Sequence, residues 1–186
     1  MNLWDEVYAK GERQFHKGPN AFLMEVVRGR TPGRALEIGM GQGRNAFWLA
    51  AQGWDVTGVE SSAEALRQAR ESGPGITMVE SSIEAFDIGV ACWDLIACIY
   101  VHGVTLRNAP RIIEGLKPGG ILVVEGFHRD VMQHGAKTLD GKPLGFQTNA
   151  LLRHFLGLRI ERYEDTFGFG DWQNRDMPVV RMLARK

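Results

Sequence analysis

Apolar residues along this chain come in short runs separated by amphipathic segments, and that alternation sets the expected fold. Ala35–Ile38, Trp54–Val59, Ile76–Val79, Asp94–Ile99 and Ile121–Gly126 read as strands. The fourth is almost continuously apolar, as a strand covered on both faces should be. A helix is expected from about Arg44 to Gln52, with Gly53 as its C′ residue. Ser61-Ser62-Ala63-Glu64 carries a capping-box pattern from Ser61 to Glu64, and Ala65, Leu66 and Ala69 then mark a helix face. Ala109, Ile112, Ile113 and Leu116 lie at helical spacing, with Pro110 in the first turn. Lys117-Pro118-Gly119-Gly120 predicts a turn. Asn149 is placed to cap a short helix, Ala150–Leu156, ended by Gly157, and two closing strands are expected near Leu158–Glu164 and Val179–Ala184. Before the first strand, residues 1–33 are polar and aromatic, with Trp4, Tyr8, Phe15 and Phe22. They predict two short helices joined by Lys17-Gly18-Pro19-Asn20, then a turn at Thr31-Pro32-Gly33. Residues 128–147 read as a loop insertion. Strands alternating with helices predict a parallel, doubly wound sheet, whose ligands bind past the carboxyl ends of the strands.

One such end is dense in chemistry. Gly39, Gly41 and Gly43 follow the first strand at alternating positions, where glycine allows positive φ and a close ligand. Glu60 ends the second strand, 21 residues after Gly39, where an acid suits a ribose hydroxyl. A dinucleotide fingerprint places its third glycine at Arg44 or Ala46, depending on the start, and the looser form accepts Ala46. The glycines therefore leave a dinucleotide open. Glu37, two residues before Gly39, shifts the balance. A carboxylate is repelled by a pyrophosphate and attracted by a sulfonium or an α-amino group.

Composition narrows the classes. The chain has 186 residues, room for one domain with a full core, and 1–186 is expected to be a single unit with 1–33 as a lid-like segment. Formal net charge is zero, so nothing favours nucleic acid or a membrane surface as partner. Cys92 and Cys98 flank or lie in one predicted strand, which argues against a mutual disulfide and for a reducing compartment. No basic segment followed by an apolar one opens the chain, and a cytoplasmic protein is expected.

The motif Glu37-Ile-Gly-Met-Gly-Gln-Gly43, with Gly-Arg-Asn45, Leu49-Ala-Ala-Gln-Gly-Trp-Asp-Val56, Leu116-Lys-Pro-Gly-Gly120 and Val180-Arg-Met-Leu-Ala-Arg-Lys186, resembles the class I S-adenosylmethionine-dependent methyltransferases. Within them it is most similar to the tellurite-resistance group and its small-molecule relatives; Trp4 and Tyr8 resemble that group's aromatic segment. The resemblance implies a Rossmann-like, mostly parallel seven-stranded sheet with an antiparallel C-terminal hairpin strand, and S-adenosyl-L-methionine as cofactor. It implies that Glu37, Gly39, Gly41, Gly43 and Asn45 face the methionine part, and that Glu60, with Ser61 beside it, takes the ribose hydroxyls. Ser82 and Ile83 stand where the family often offers an acid to adenine, and Ile99 and Tyr100 face the methionyl end.

Methyl transfer asks the protein mainly to position and desolvate the nucleophile, and a base is needed only if the nucleophile carries a proton. The expected acceptor is a small, soft or anionic molecule such as a thiol or a chalcogen oxyanion. His102 and His128, just beyond the fourth and fifth strands, are candidate bases or anion holders, or else polar loop residues. Tyr8 and Asn20 are candidate lid groups, or else packing and turn residues. Arg107 and Arg111 either attract an anion or form a solvated helix face, and Trp172 either lines the acceptor pocket or packs on the surface. No His/Cys spacing resembles a metal site. Two other functions fit the same motifs: an NAD-type oxidoreductase and a non-catalytic cofactor-binding module.

Overall fold

A computed structural model describes residues 3–11, 16–135, 143–171 and 174–186. Two short helices, α1 (Leu3–Lys10) and α2 (Ala21–Val27), precede an alternating series. It runs β1 (Arg34–Ile38), α3 (Arg44–Ala51), β2 (Asp55–Glu60), α4 (Ala63–Glu71), β3 (Thr77–Glu80) and β4 (Trp93–Ile99). Then come α5 (His102–Arg107), α6 (Ala109–Gly115), β5 (Leu116–Phe127), a 3₁₀ turn at Arg129–His134, α7 (Ala150–His154), β6 (Arg159–Gly170) and β7 (Arg175–Arg185).

The strands form one seven-stranded sheet in the order β3-β2-β1-β4-β5-β7-β6. Strands β1 to β5 are mutually parallel, while β7 runs antiparallel to both β5 and β6. This is the Rossmann-like arrangement with a C-terminal antiparallel hairpin. The order reverses at β1, which has β2 on one side and β4 on the other, so the crevice opens there.

Adjacent residues on each central strand feed opposite cores, as a two-residue period demands. Ala35, Leu95 and Val123 join Phe22, Leu23 and Leu49 on the face covered by α2 and α3. Leu36, Ile96 and Leu122 join Ile112 and Leu151 on the face covered by α6 and α7. Burying each such large apolar side chain contributes roughly 1.5–3 kcal/mol, which holds the strand ends, and hence the site, in register.

Four local expectations change. Ser62, not Ser61, caps α4: its Oγ accepts the Ala65 N–H at 3.1 Å and donates to Asp5 Oδ1 at 2.8 Å. Asn149 precedes α7 with φ 58° and makes no side-chain cap. The Lys117–Gly120 turn lies inside β5 as a bulge: between the pairs Trp93↔Leu116 and Leu95↔Ile121, β5 advances five residues while β4 advances two. The stretch between the two expected closing strands is largely the far end of the β6–β7 hairpin, paired from Asp165↔Val180 to Gly170↔Arg175. Helix α5 was not expected, because Gly103 and the β-branched Val104 and Thr105 are weak helix formers. Packing holds it, with the Thr105 hydroxyl donating to the Val101 carbonyl at 2.8 Å.

Candidate active site

A cleft of about 950 Å³ opens at the carboxyl ends of β1, β2 and β4, lined on its floor by the loop after β1 and on its front by α1 and residues 16–17. Glycine is required in that loop. Gly39 and Gly41 have φ of 70° and 54°, and a Cβ there would run into Val101 and the Tyr8 hydroxyl respectively. Gly43, φ 83°, is the N-cap of α3 rather than part of the cleft lining.

The loop's own amides are largely committed. The N–H groups of Gly39 and Met40 both donate to the Val59 carbonyl, at 2.8 and 3.2 Å, and Gly43 donates to Met40 at 2.9 Å. Gly41 donates to Glu60 Oε2 at 3.0 Å. A pyrophosphate cradle works by pointing unpaired N–H groups at the ligand. This loop turns those donors inward, so it offers little to a dinucleotide.

Of the carboxylates that line the cleft, Glu60 and Glu37 differ in their partners. Glu60 is gripped by backbone: besides Gly41, the N–H groups of Ser61 and Ser62 donate to its Oε1 at 2.8 and 2.9 Å. A carboxylate has about four acceptor sites, so capacity remains for a ligand hydroxyl. Glu37 is 2% exposed. Its register partners, Gly58 on β2 and Ala97 on β4, are small and leave room for it. Its Oε1 accepts from Asn45 Nδ2 at 2.7 Å, while Oε2 has no hydrogen-bond partner at all. Burial pushes its carboxyl up to about 7, against the opposing pull of the Asn45 hydrogen bond and Arg44. A cleft-lining carboxylate with one buried, orphaned oxygen fits a cationic ligand group, such as an amine or a sulfonium.

The remaining expected site residues divide. Tyr8, Ser61, Ser82, Ile83, Ile99, Tyr100 and His102 all line the cleft. Burial, with Glu60 nearby, holds the Tyr8 phenol above its ordinary pKa, so it stays protonated. Ser82 Oγ accepts the Ala85 N–H at 3.3 Å, a weak turn contact. Tyr100 sits at φ 61°, a strained position for a bulky residue, costing roughly 1–3 kcal/mol. Its hydroxyl donates to Glu125 Oε1 at 2.9 Å.

His102 is poorly suited to act as a base. Its Nε2 accepts the Phe127 N–H at 2.8 Å, its ring lies between Phe127 and Phe146, and burial drops its pKa to about 3. It is a neutral acceptor that ties α5 to β5. His128 does not line the cleft; its Nδ1 accepts the Asp130 N–H and its Nε2 lies 3.1 Å from Thr148 Oγ1. Arg111 is bound to the Ile83 and Phe86 carbonyls, and Arg107 pairs with Glu84 at 3.0 Å. Trp172 lies outside the described residues. Among the described residues no group of three His, Cys, Asp or Glu side chains is placed to hold a metal.

Sequence reasoning missed the polar layer behind the cleft. Glu125, Asp171, Arg44 and Arg181 are joined there: Arg44 is bidentate to Asp171 at 2.9 and 3.1 Å, and Arg181 donates to Glu125 Oε2 at 2.7 Å. The available signal was an acid inside an apolar strand, which Glu125 shares with Glu37.

Residues 35–120, which carry the glycine loop, Glu37 and Glu60, match the sequence profile of a methyltransferase domain. The chain carries an S-adenosylmethionine-dependent methyltransferase domain. S-adenosylmethionine is the cofactor of that family, and the orphaned Glu37 oxygen and the glycine cradle fit its cationic methionyl end. A trans-aconitate 2-methyltransferase of Rhodopseudomonas palustris is 34% identical over 131 residues, covering 67% of this chain and 50% of that protein. The chain spans about half the length of the curated relatives it matches. Two solved structures share the fold. TehB from Haemophilus influenzae has a TM-score of 0.72 at 20% identity, over 90% of this chain and 62% of that one. An S-adenosylmethionine dependent methyltransferase from Mesorhizobium loti has a TM-score of 0.70 at 22% identity, over 88% and 96%. No helix among the described residues is long and apolar enough to cross a membrane.

Proposed function

We propose that this protein transfers a methyl group from S-adenosylmethionine to a small acceptor that is soft or anionic. The observation that carries the donor half is Glu37, a cleft-lining residue whose Oε2 atom is buried and has no hydrogen-bond partner. Bound S-adenosylmethionine supplies a methyl group already activated on a cationic sulfur. The chain's residues then have three tasks. Glu37 holds the cationic methionyl end, Glu60 and Ser61 take the ribose hydroxyls, and Ser82, Ile83, Ile99 and Tyr100 line the walls around the adenosine and the sulfur.

The acceptor half is supported by size and charge. A cleft of about 950 Å³ lies at the upper end of small-molecule sites, enough for a donor and a small second ligand. Lys17 lines its mouth and makes no ion pair among the described residues, so it is placed to draw in an anion. The named substrate of the trans-aconitate relative is consistent with an anionic acceptor. His102 stays neutral and hydrogen-bonded, and Tyr8 stays protonated, so neither of these two lining groups is suited to act as a base, although His16 also lines the cleft. An acceptor that is nucleophilic without losing a proton, such as a carboxylate, a thiolate or a chalcogen oxyanion, needs none. Tyr8, over the glycine loop, then positions and excludes water as part of the 1–33 lid, in a single-domain protein. A cytoplasmic setting completes the proposal, since Cys92 and Cys98 are both free thiols.

Calorimetry and turnover test both halves. S-adenosylhomocysteine should bind and NAD should not; the reverse would overturn the donor assignment. Labelled methyl should pass to at least one member of a panel of a thiol, tellurite and a polycarboxylate. Tight donor binding with no transfer across that panel would overturn the acceptor class.

A further inference from the structure

Asn20 lies outside the glycine motif, at the front of α2, and is 1% exposed. Every polar group it has is engaged across the fold. Its backbone N–H donates to Asn45 Oδ1 at 2.8 Å, and its Oδ1 accepts the Leu23 N–H at 2.9 Å. Its Nδ2 donates both to Glu125 Oε1 at 2.7 Å and to Asp171 Oδ2 at 2.8 Å. Asn45, on α3 and 3% exposed, passes the line on by donating to Glu37 Oε1 at 2.7 Å. An unbroken file of hydrogen bonds thus runs from Glu125 and Asp171, behind the acceptor side, to the carboxylate on the donor side. Its direction is forced. A backbone N–H only donates, so Asn45 must turn its amide oxygen to Asn20 and its NH₂ to Glu37. Because that NH₂ takes one oxygen of Glu37, a residue that lines the cleft, the other oxygen is left buried without a partner.

We infer that Asn45 and Asn20 are positioning residues for the donor: Asn45 aims the unpaired oxygen of Glu37 at the methionyl end, and Asn20, gripped by Glu125 and Asp171, holds Asn45 in the one amide orientation that does so. Seating of the N-terminal segment is thereby coupled to donor binding. The inference rests on the donor assignment proposed above, and its test separates the two.

Two ligands titrated into the full chain by calorimetry suffice. S-adenosylhomocysteine carries the methionyl amine; 5′-methylthioadenosine keeps the adenosine and the sulfur but lacks the amino-acid part. Asn45→Ala should weaken S-adenosylhomocysteine about tenfold or more and methylthioadenosine less than about twofold, the span expected for a hydrogen bond to a charged group. Glu37→Gln should show the same selectivity, and the double variant should lose little more than either single one, because both act through one contact. A purely structural role predicts equal weakening of both ligands, or losses that add, and either result overturns the inference. Should Asn45→Ala fail to fold, Asn20→Ser retains the cap on α2 through its hydroxyl and drops the contacts to Glu125 and Asp171. It should weaken S-adenosylhomocysteine about threefold or more while sparing methylthioadenosine, as fits a residue acting at one remove. Equal change in both, or none, counts against the coupling. If the wild-type chain binds neither ligand, the donor assignment itself falls.

Discussion

In the cleft lining Glu37 keeps one oxygen unpaired, whereas in the polar layer behind the cleft Glu125 has both oxygens taken. Both are carboxylates near the carboxyl ends of central strands, both are almost fully buried, and burial raises the pKa of both. Their partners differ. Glu125 accepts from Tyr100, Asn20 and Arg181, and the Arg181 guanidinium opposes the rise. Glu37 has the Asn45 amide, with the Ala46 N–H and the Arg44 charge nearby, and no direct ion pair among the described residues. A buried acid with a complete set of donors is part of the fold, and one with a missing donor is waiting for a ligand. The cleft at Glu37 is therefore built around an incomplete electrostatic arrangement, and the polar layer behind it around a closed one.

The largest expected effect tests the closed side. Glu125→Ala takes an acceptor from Tyr100, Asn20 and Arg181 at once, leaving Arg181 its 3.4 Å pair with Glu164 and the Phe169 carbonyl, and should cost about 3–5 kcal/mol of stability in urea unfolding. A loss under about 1 kcal/mol would mean the network is solvated after all.

The next effect reads the open side through pH. In the folded chain Glu37 keeps its proton up to about 7, against an ordinary value of 4.5. Between those values the folded state binds more protons than the unfolded one, so this group's contribution to stability falls as pH rises. The integrated loss is on the order of 3 kcal/mol. Stability of Glu37→Gln measured alongside wild type should lack that slope, so the two curves should diverge from pH 4.5 to 7. Parallel curves would show that Glu37 is solvated and ionised throughout.

How much of this was legible in the sequence follows the same divide. Gly39, Gly41, Glu37 and Glu60 sit within a short stretch where positive φ and strand ends are local properties, and the sheet they imply is the one observed. The polar layer behind the cleft is assembled over long range. Asn20 and Asp171 meet across 151 residues and Asn20 and Glu125 across 105, separations that no local pattern encodes. His102 and His128 looked functional from their places after strands. Neither place reveals that one ring is buried against Phe127 and Phe146, or that the other caps a 3₁₀ turn. The capping serine was misplaced by one residue because Ser61 and Ser62 differ only in tertiary contacts, Asp5 being the partner that Ser62 finds.

Two smaller effects sharpen the contrast. Glu60→Ala removes an acceptor that holds Gly41 as well as the proposed ribose contact. It should weaken S-adenosylhomocysteine and methylthioadenosine alike, by about 1–3 kcal/mol in calorimetry, unlike the selective loss from Glu37→Gln. Sparing methylthioadenosine would place Glu60 away from the ribose. Smallest of all, Arg107→Ala breaks an exposed pair with Glu84 and should change the melting free energy by less than about 1 kcal/mol. A larger loss would mean that this rim is less solvated than its exposure implies.

Proton release on ligand binding tests the waiting carboxylate most directly. Calorimetric titration of S-adenosylhomocysteine near pH 6.5, repeated in buffers of different ionisation heat, should show most of one proton leaving the protein, because Glu37 must ionise to meet the methionyl amine. Glu37→Gln should release none. Binding by the wild-type chain with no proton released, or equal release from both proteins, would contradict the account.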